Sequence, residues 1–446
     1  MAIVLCFCGC SQSDKEVKIE PMEPEKVNTF SFDFIGGTDV MPIGGFHGPG
    51  PEVWSRNGNT KPSTITDEVF SAFAECGLNY LTYQEWSMVG TAKAEQYTDK
   101  LFKLGEKYGI ACTIALGTAP LADVKTADES IKPYKKYKSF AAIHVMDEPS
   151  GPNYFVAPER EIAVTCEPYF KVLNELGYFG YCNLFPIYDF KQKQAYEEYL
   201  ERYLSLCHPK VLMYDHYVFE QRNYATYFYN MSAVRSAAER YNIPWWQFIQ
   251  AWTNTGYENV NEFEMAWNIN TSLAYGAKGI QYFLAVQNTA DVLVNHGGKD
   301  LSEAANRVGI VGAFGKKTRY WYYAKPVNDQ IKAVDHVLMN SVNKGVLTNG
   351  SLGKAYLANA EHVIDGQSWR ELKDFDGETM IGCFNYNGKS AFYVVNNSFE
   401  YAQKINLEFH DTYKLSVIQQ TKESLVETDK LMLDMKAGEG VLVVIE

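Results

Sequence analysis

The chain has 446 residues, enough for two or three domains, and its 46% hydrophobic and 21% charged content excludes a disordered chain. It carries 41 Lys and Arg against 54 Asp and Glu, a formal net charge of −13, which offers no basic surface for a nucleic-acid backbone. Cys6, Cys8 and Cys10 crowd the N-terminus while the other cysteines stand singly, and the lack of any CxxC pair removes zinc-knuckle and thioredoxin-like chemistry.

Ala2 to Cys8 form an apolar run too short to span a bilayer, and Gly9-Cys10 lead from it into the polar Ser11-Gln12-Ser13-Asp14. That order reads as an export signal. The stretch Phe7-Cys8-Gly9-Cys10 resembles a bacterial lipobox, with Phe7 where Leu is usual and no Lys or Arg ahead of the run. The resemblance implies a signal over residues 1–10, lipid on Cys10 and a linker over 11–31. It also implies export to a bacterial outer membrane or cell surface, with membrane contact only through that lipid. No other apolar stretch approaches the ~18 residues that a transmembrane helix needs.

From residue 32 onward short apolar runs alternate with amphipathic stretches. The first run is Phe32-Asp33-Phe34-Ile35, continuing to Pro42–Phe46; Asn79–Tyr83, Ala111–Leu116 and Ala141–Met146 follow. The fifth to eighth are Tyr178–Leu184, Val211–Tyr214, Trp246–Ile249 and Gly279–Leu284. Continuous apolar runs are what strands buried on both faces look like. Between them, Asp67–Cys76, Tyr97–Tyr108, Pro168–Leu176, Ala233–Tyr241 and Glu262–Tyr275 have helical patterns, most of them stopped by glycine. The charged stretch Asp189–Glu201 reads as a solvated helix face. Eight strand–helix units predict a (β/α)8 barrel over residues 32–344. A doubly wound open sheet fits less well, because no GxGxxG follows a strand.

Beyond residue 345 the pattern changes to short strands at Met380–Phe384, Ala391–Val395, Lys404–Phe409 and Gly440–Ile445, separated by turn signals. A small all-β sandwich over residues 345–446 is expected, in a packing or accessory role.

Active sites of such barrels collect at the C-terminal ends of the strands. The residues just past each run are His47; Gln84, Glu85 and Trp86; Gly117 and Thr118; Asp147, Glu148 and Pro149; and Asn183. Asp215, His216 and Tyr217 follow the sixth, Gln250, Trp252 and Asn254 the seventh, and Gln287 and Asn288 the eighth. Carboxylates, amides and aromatic rings thus converge on one rim. Amides and carboxylates hydrogen-bond sugar hydroxyls, and Trp and Tyr stack on the ring, so a carbohydrate partner is expected. Aromatic residues make up 14% of the chain, which serves that purpose or a large core equally. No GxSxG elbow and no metal-ligand spacing occur, and no cofactor is called for.

The sharpest feature is His144-Val145-Met146-Asp147-Glu148-Pro149, a buried strand that ends abruptly in two acids where charge is expensive. In its position on strand four it resembles the (β/α)8 retaining glycoside hydrolases of the large clan that includes cellulases and β-galactosidases, in which Asn-Glu or Asn-Glu-Pro ends that strand. The resemblance implies that Glu148 is the general acid/base and that His216 and Tyr217 contact the sugar. Ala274 to Phe283, which includes Tyr282, looks like that clan's approach to strand eight.

Two residues depart from the clan. Asp147 replaces the usual Asn, and Gln250 stands where the nucleophilic Glu is expected; an amide cannot form the glycosyl-enzyme ester. Asp215 is then the first candidate for the second catalytic carboxylate, with Glu220 and Glu258 as others. Alternatively, the Asp147-Glu148 pair is similar to that of N-acetylhexosaminidases, in which the Asp orients a 2-acetamido group of the substrate and the Glu acts as acid. The reading from sequence is a glycosidase with Glu148, Asp147 and Asp215 as catalytic residues. Glu85, Trp86, Asn183, His216, Tyr217, Gln250, Trp252 and Tyr282 would bind substrate. A barrel that only captures glycan is the competing class.

Overall fold

The computed structural model describes residues 19–51, 53–54, 60–61, 63–82, 92–116, 121–149, 158–190, 192–252, 258–286, 309–312 and 314–446. Cys10, Gln84, Glu85, Trp86, Gly117, Thr118, Asn254, Gln287 and Asn288 lie outside them.

Eight parallel strands form one sheet: β1 Ile43–Phe46, β2 Tyr80–Leu81, β3 Ala111–Ala115, β4 Phe140–Asp147, β5 Gly180–Asn183, β6 Leu212–Tyr214, β7 Trp245–Gln250 and β8 Ile280–Phe283. They run in the order β5-β4-β3-β2-β1-β8-β7-β6. A parallel bridge between Leu184 and Tyr214 joins the two ends, so the sheet closes into a barrel. The helices between strands are α1 Asp67–Cys76, α2 Ala92–Tyr108, α3 Val124–Ile131, α4 Pro158–Thr165, α5 Glu167–Glu175, α6 Lys193–Cys207, α7 Tyr224–Arg240, α8 Glu262–Ala274 and α9 Arg319–Leu338.

Local chemistry sets these boundaries. Thr66 caps α1 by accepting from the Val69 N–H at 3.3 Å, and Gly77 ends the helix at φ +98°, a conformation glycine adopts without strain. Asn261 and Glu264 form a reciprocal capping box at the start of α8. Along the strands, alternate side chains divide between two cores. Phe46, Tyr181, Met213, Trp246 and Phe248 fill the barrel, while Ile43, Ile143, Tyr214, Ile249 and Tyr282 pack under the helices.

Two sequence expectations are corrected here. Asp33–Ile35 is a 3-10 turn rather than the start of strand one, and Phe30 and Phe32 plug the N-terminal end of the barrel against Phe179, Tyr80 and Trp246. Residues 19–29, before them, have no regular structure and lie against the C-terminal part: Glu25 pairs with Lys344, and the Asn385 side chain donates to the Glu23 carbonyl at 2.8 Å. Finally, α6 is solvated on one face only, because Tyr196, Tyr199, Leu200, Tyr203 and Leu204 are buried.

The C-terminal part is antiparallel: β9 Ser341–Asn349, β10 Leu372–Phe375, β11 Thr379–Tyr386, β12 Lys389–Asn396, β13 Gln403–Gln419, β14 Lys422–Met435 and β15 Gly440–Ile445. Its first strand begins a few residues before the boundary read from sequence. A register shift between Glu408 and Tyr413 lets the long β13 bend, so that one sheet folds over its own core of Ile381, Phe392, Val394, Leu407, Phe409, Leu433 and Val443. The opposite face, with Met380, Phe384, Tyr393 and Leu442, joins the barrel's helical core. Side-chain hydrogen bonds pin it to α8: Trp267 donates to the Asn397 Oδ1 at 2.9 Å and Tyr393 to the Asn270 Oδ1 at 2.7 Å. The sandwich therefore braces the helix that follows β7.

Candidate active site

The polar residues at the C-terminal end of the barrel stand where the chain leaves the sheet. At β4 the chain breaks its extended course: Glu148 has φ +44°, a strained backbone for a residue with a side chain. Its N–H donates to the Asn183 carbonyl on β5 at 2.9 Å, which fixes the break. The Asn183 Nδ2 in turn donates to the Asp147 carboxylate at 3.2 Å, leaving Asn183 Oδ1 buried and unpaired. Strained backbone kept in place by neighbouring strands is what a preorganised site requires.

Four carboxylates influence one another here: Asp147, Glu148, Asp215 after β6, and Asp189 in a 3-10 turn after β5. Burial raises the Glu148 carboxyl to about 7, and the charges of Asp147 and Asp189 add to it. Burial likewise raises Asp147 to about 6, against the opposing hydrogen bond from Asn183. Asp147 is open to solvent. Asp215 is different. It is 3% exposed, its Oδ1 has no partner, and burial together with the charges of Glu148 and Asp147 pushes it well above the carboxylate range. Among the described residues no cation forms an ion pair with Asp147, Glu148 or Asp215, and no cluster there has metal-holding geometry.

Aromatic side chains line the same end. Tyr217, Trp252 and Phe283 surround one another with ring centroids 5.4 to 6.2 Å apart, and His47 meets Phe283 at 5.4 Å. His216 is buried between the edges of Tyr188 at 5.0 Å and Tyr227 at 5.4 Å, and burial lowers it to about 4, so it stays neutral.

Two residues read from sequence as sugar contacts serve elsewhere. Tyr282 points outward from β8, and its hydroxyl donates to the Asn328 Oδ1 on α9 at 2.6 Å; Phe283, one residue on, packs against the barrel-interior core beside Tyr217 and Trp252. Gln250 is 1% exposed with both ends of its amide engaged: Oε1 accepts from the Phe219 N–H and Nε2 donates to the Trp252 carbonyl, each at 3.2 Å. It ties the loop after β6 to the loop after β7. A Gln250→Glu variant is expected to lose roughly 1–3 kcal/mol of stability in denaturant titrations, because a carboxylate oxygen would then face the Trp252 carbonyl. Of the other carboxylates considered, Glu258 pairs with Arg222 at the surface at 3.2 Å, and Glu220 lies in the short helix Val218–Gln221 near Tyr188. Tyr188, Asp189 and Phe283 were not picked out by the sequence. The first two follow Pro186 in a turn a few residues past the end of β5, and reading further past that strand would have found them.

The fold and the site thus define a (β/α)8 barrel with a cluster of carboxyl groups and an aromatic rim at the strand ends. No family model matches the chain, and neither does any curated protein. Among solved structures, one described as a glycoside hydrolase superposes with a TM-score of 0.57, covering 96% of this chain and 97% of its own, at 10% identity. A family 5 glycoside hydrolase from Bacteroides vulgatus superposes with a TM-score of 0.51, covering 91% of this chain and 89% of its own, at 11% identity. What the chain shares with these two proteins is the fold.

Proposed function

We propose that the protein is a glycoside hydrolase that cleaves an O-glycosidic bond of an oligo- or polysaccharide, with Glu148 as its general acid/base. One observation carries this reading: two adjacent carboxyl groups stand at the end of β4 on a backbone break held by Asn183, where burial raises Glu148 to about 7 and Asp147 to about 6. An acid that keeps its proton near pH 7 can deliver it to a departing glycosidic oxygen. The Tyr217–Trp252–Phe283 group, packed edge to face, offers aromatic surface for a sugar ring, with the unpaired Asn183 Oδ1 and His216 Nε2 as hydrogen-bonding groups at the same end of the barrel.

The partner of Glu148 follows from the same environments. Asp215 is nearly enclosed, and burial together with the charges of Glu148 and Asp147 disfavours its ionised form, which suits neither a nucleophile nor a base. Asp147 is ionised and reachable, but as the neighbour of Glu148 on one strand end it cannot attack from the opposite face of the ring. Its place suits orientation of a nucleophile carried by the substrate. A 2-acetamido group, whose carbonyl oxygen attacks the anomeric carbon while its N–H bonds to Asp147, satisfies that geometry. The order Phe7-Cys8-Gly9-Cys10 further supports export and a lipid anchor on Cys10 as the setting of this activity.

Aryl glycosides with and without a 2-acetamido group test the reading. Release of aryl alcohol confined to the 2-acetamido members is expected. Turnover of both kinds would return the second catalytic role to Asp215. Retention of glycan without turnover of any member would make the protein a capture protein.

A further inference from the structure

We infer that Asn230 is a positioning residue that fixes His216 as a hydrogen-bond acceptor, so that the site selects a substrate presenting a hydroxyl or amide N–H at His216 Nε2. The inference rests on the proposed hydrolase reading for its kinetic part alone.

Asn230 lies on α7, fully buried, with three hydrogen bonds. The backbone N–H of Ile187 reaches its Oδ1 at 2.9 Å; a peptide N–H can only donate, so the atom it meets is the amide oxygen. The Nδ2 donates to the Tyr196 hydroxyl at 2.7 Å, which agrees with that orientation. His216 Nδ1 lies 2.9 Å from the same oxygen. Because an amide oxygen carries no hydrogen, Nδ1 must hold the proton. A neutral imidazole has one N–H, so Nε2 is left with a bare lone pair.

That nitrogen is buried and has no partner among the described residues. A buried acceptor without a donor costs about 1–3 kcal/mol, a cost that a ligand donor removes. Since Nδ1 is anchored on α7, behind β6, Nε2 is directed away from the helix layer. Tyr188, 37% accessible, packs edge to face on this ring with centroids 5.0 Å apart, and on this inference the substrate displaces that side chain to reach the nitrogen. The same Asn230 oxygen holds the Ile187–Asp189 turn, which carries Tyr188 and the Asp189 carboxylate that acts on Glu148. One atom therefore sets both the polarity of His216 and the position of the turn next to it.

Imidazole nitrogen NMR reads the tautomer directly, with His216→Gln to assign the signal. The wild type is expected to show neutral His216 protonated on Nδ1 at pH 7. Asn230→Asp keeps an oxygen for Ile187 and for Nδ1 but adds a charge, so both ring nitrogens should carry protons while the unfolding midpoint stays near that of the wild type. In kinetics, one member of a monodeoxy aryl glycoside series should cost the wild type ~10²-fold or more in kcat/KM, because a site built to bond a donor rejects the analogue that lacks it. In Asn230→Asp, that penalty should shrink to within about 3-fold, since Nε2 no longer accepts. A wild-type His216 protonated on Nε2 would overturn the inference, and so would deoxy penalties of equal size in both proteins. Neither the wild-type spectrum nor its assignment needs turnover, so the assignment of the tautomer fails or stands separately from the hydrolase reading.

Discussion

Glu148→Gln is expected to lower kcat/KM on aryl glycosides with poor leaving groups by ~10²-fold or more, the scale of a lost general acid. Activated leaving groups depart without a proton, so the loss should be smaller for a dinitrophenol than for a phenol. A side chain that merely packs would lower both equally. The same change should stabilise the fold at alkaline pH. The folded protein holds the Glu148 carboxyl at about 7 against an ordinary 4.5, so its stabilising contribution is complete below the ordinary value and is lost as pH rises through 7. A glutamine there carries no charge to desolvate. Thermal unfolding at pH 8 should show a gain of roughly 2–3 kcal/mol that vanishes near pH 4. A variant that is both inactive and more stable marks a group kept for chemistry at the expense of the fold.

Asp147→Asn is the second large effect. It should reduce turnover of 2-acetamido substrates by roughly 10²-fold, because the amide no longer carries the charge that orients the attacking group. It also removes a neighbouring charge that holds Glu148 up, so the alkaline fall in activity should move to lower pH. Asp215→Asn, by comparison, should cost less than about 10-fold, since a carboxyl group whose charge is disfavoured by burial and by Glu148 and Asp147 loses little when it becomes an amide. An Asp215→Asn enzyme as dead as Glu148→Gln would exchange the roles of Asp147 and Asp215.

The barrel was legible because each strand is apolar on both faces, as Trp245–Gln250 and Ala111–Ala115 are, and because glycines such as Gly77 stop the helices. Phe32-Asp33-Phe34-Ile35 was misread for the same reason: its rings are buried, but as a plug rather than a strand. In α6 the buried face is built largely from tyrosines, whose hydroxyls make it look more polar than it is. The Asp147-Glu148 pair stood out because two acids at the end of a buried strand need an explanation that composition does not supply. Gln250 did not reveal its role, because its partners Phe219 and Trp252 come from two loops brought together only by the closed barrel. Tyr282 failed on parity: a shift of one residue along a strand moves a side chain from one face to the other, and the rim position belongs to Phe283.

The central claim is that Glu148 works as an acid whose proton is retained by its surroundings. The dependence of kcat/KM on pH, measured for the wild type on a 2-acetamido aryl glycoside, tests it most directly. The account predicts a narrow bell, rising through about 6 as Asp147 ionises and falling through about 7 as Glu148 loses its proton. The falling limb should be absent from the residual activity of Glu148→Gln. A wild-type rate that stays level or climbs from pH 6 to 9, or a falling limb that survives the substitution, would contradict it.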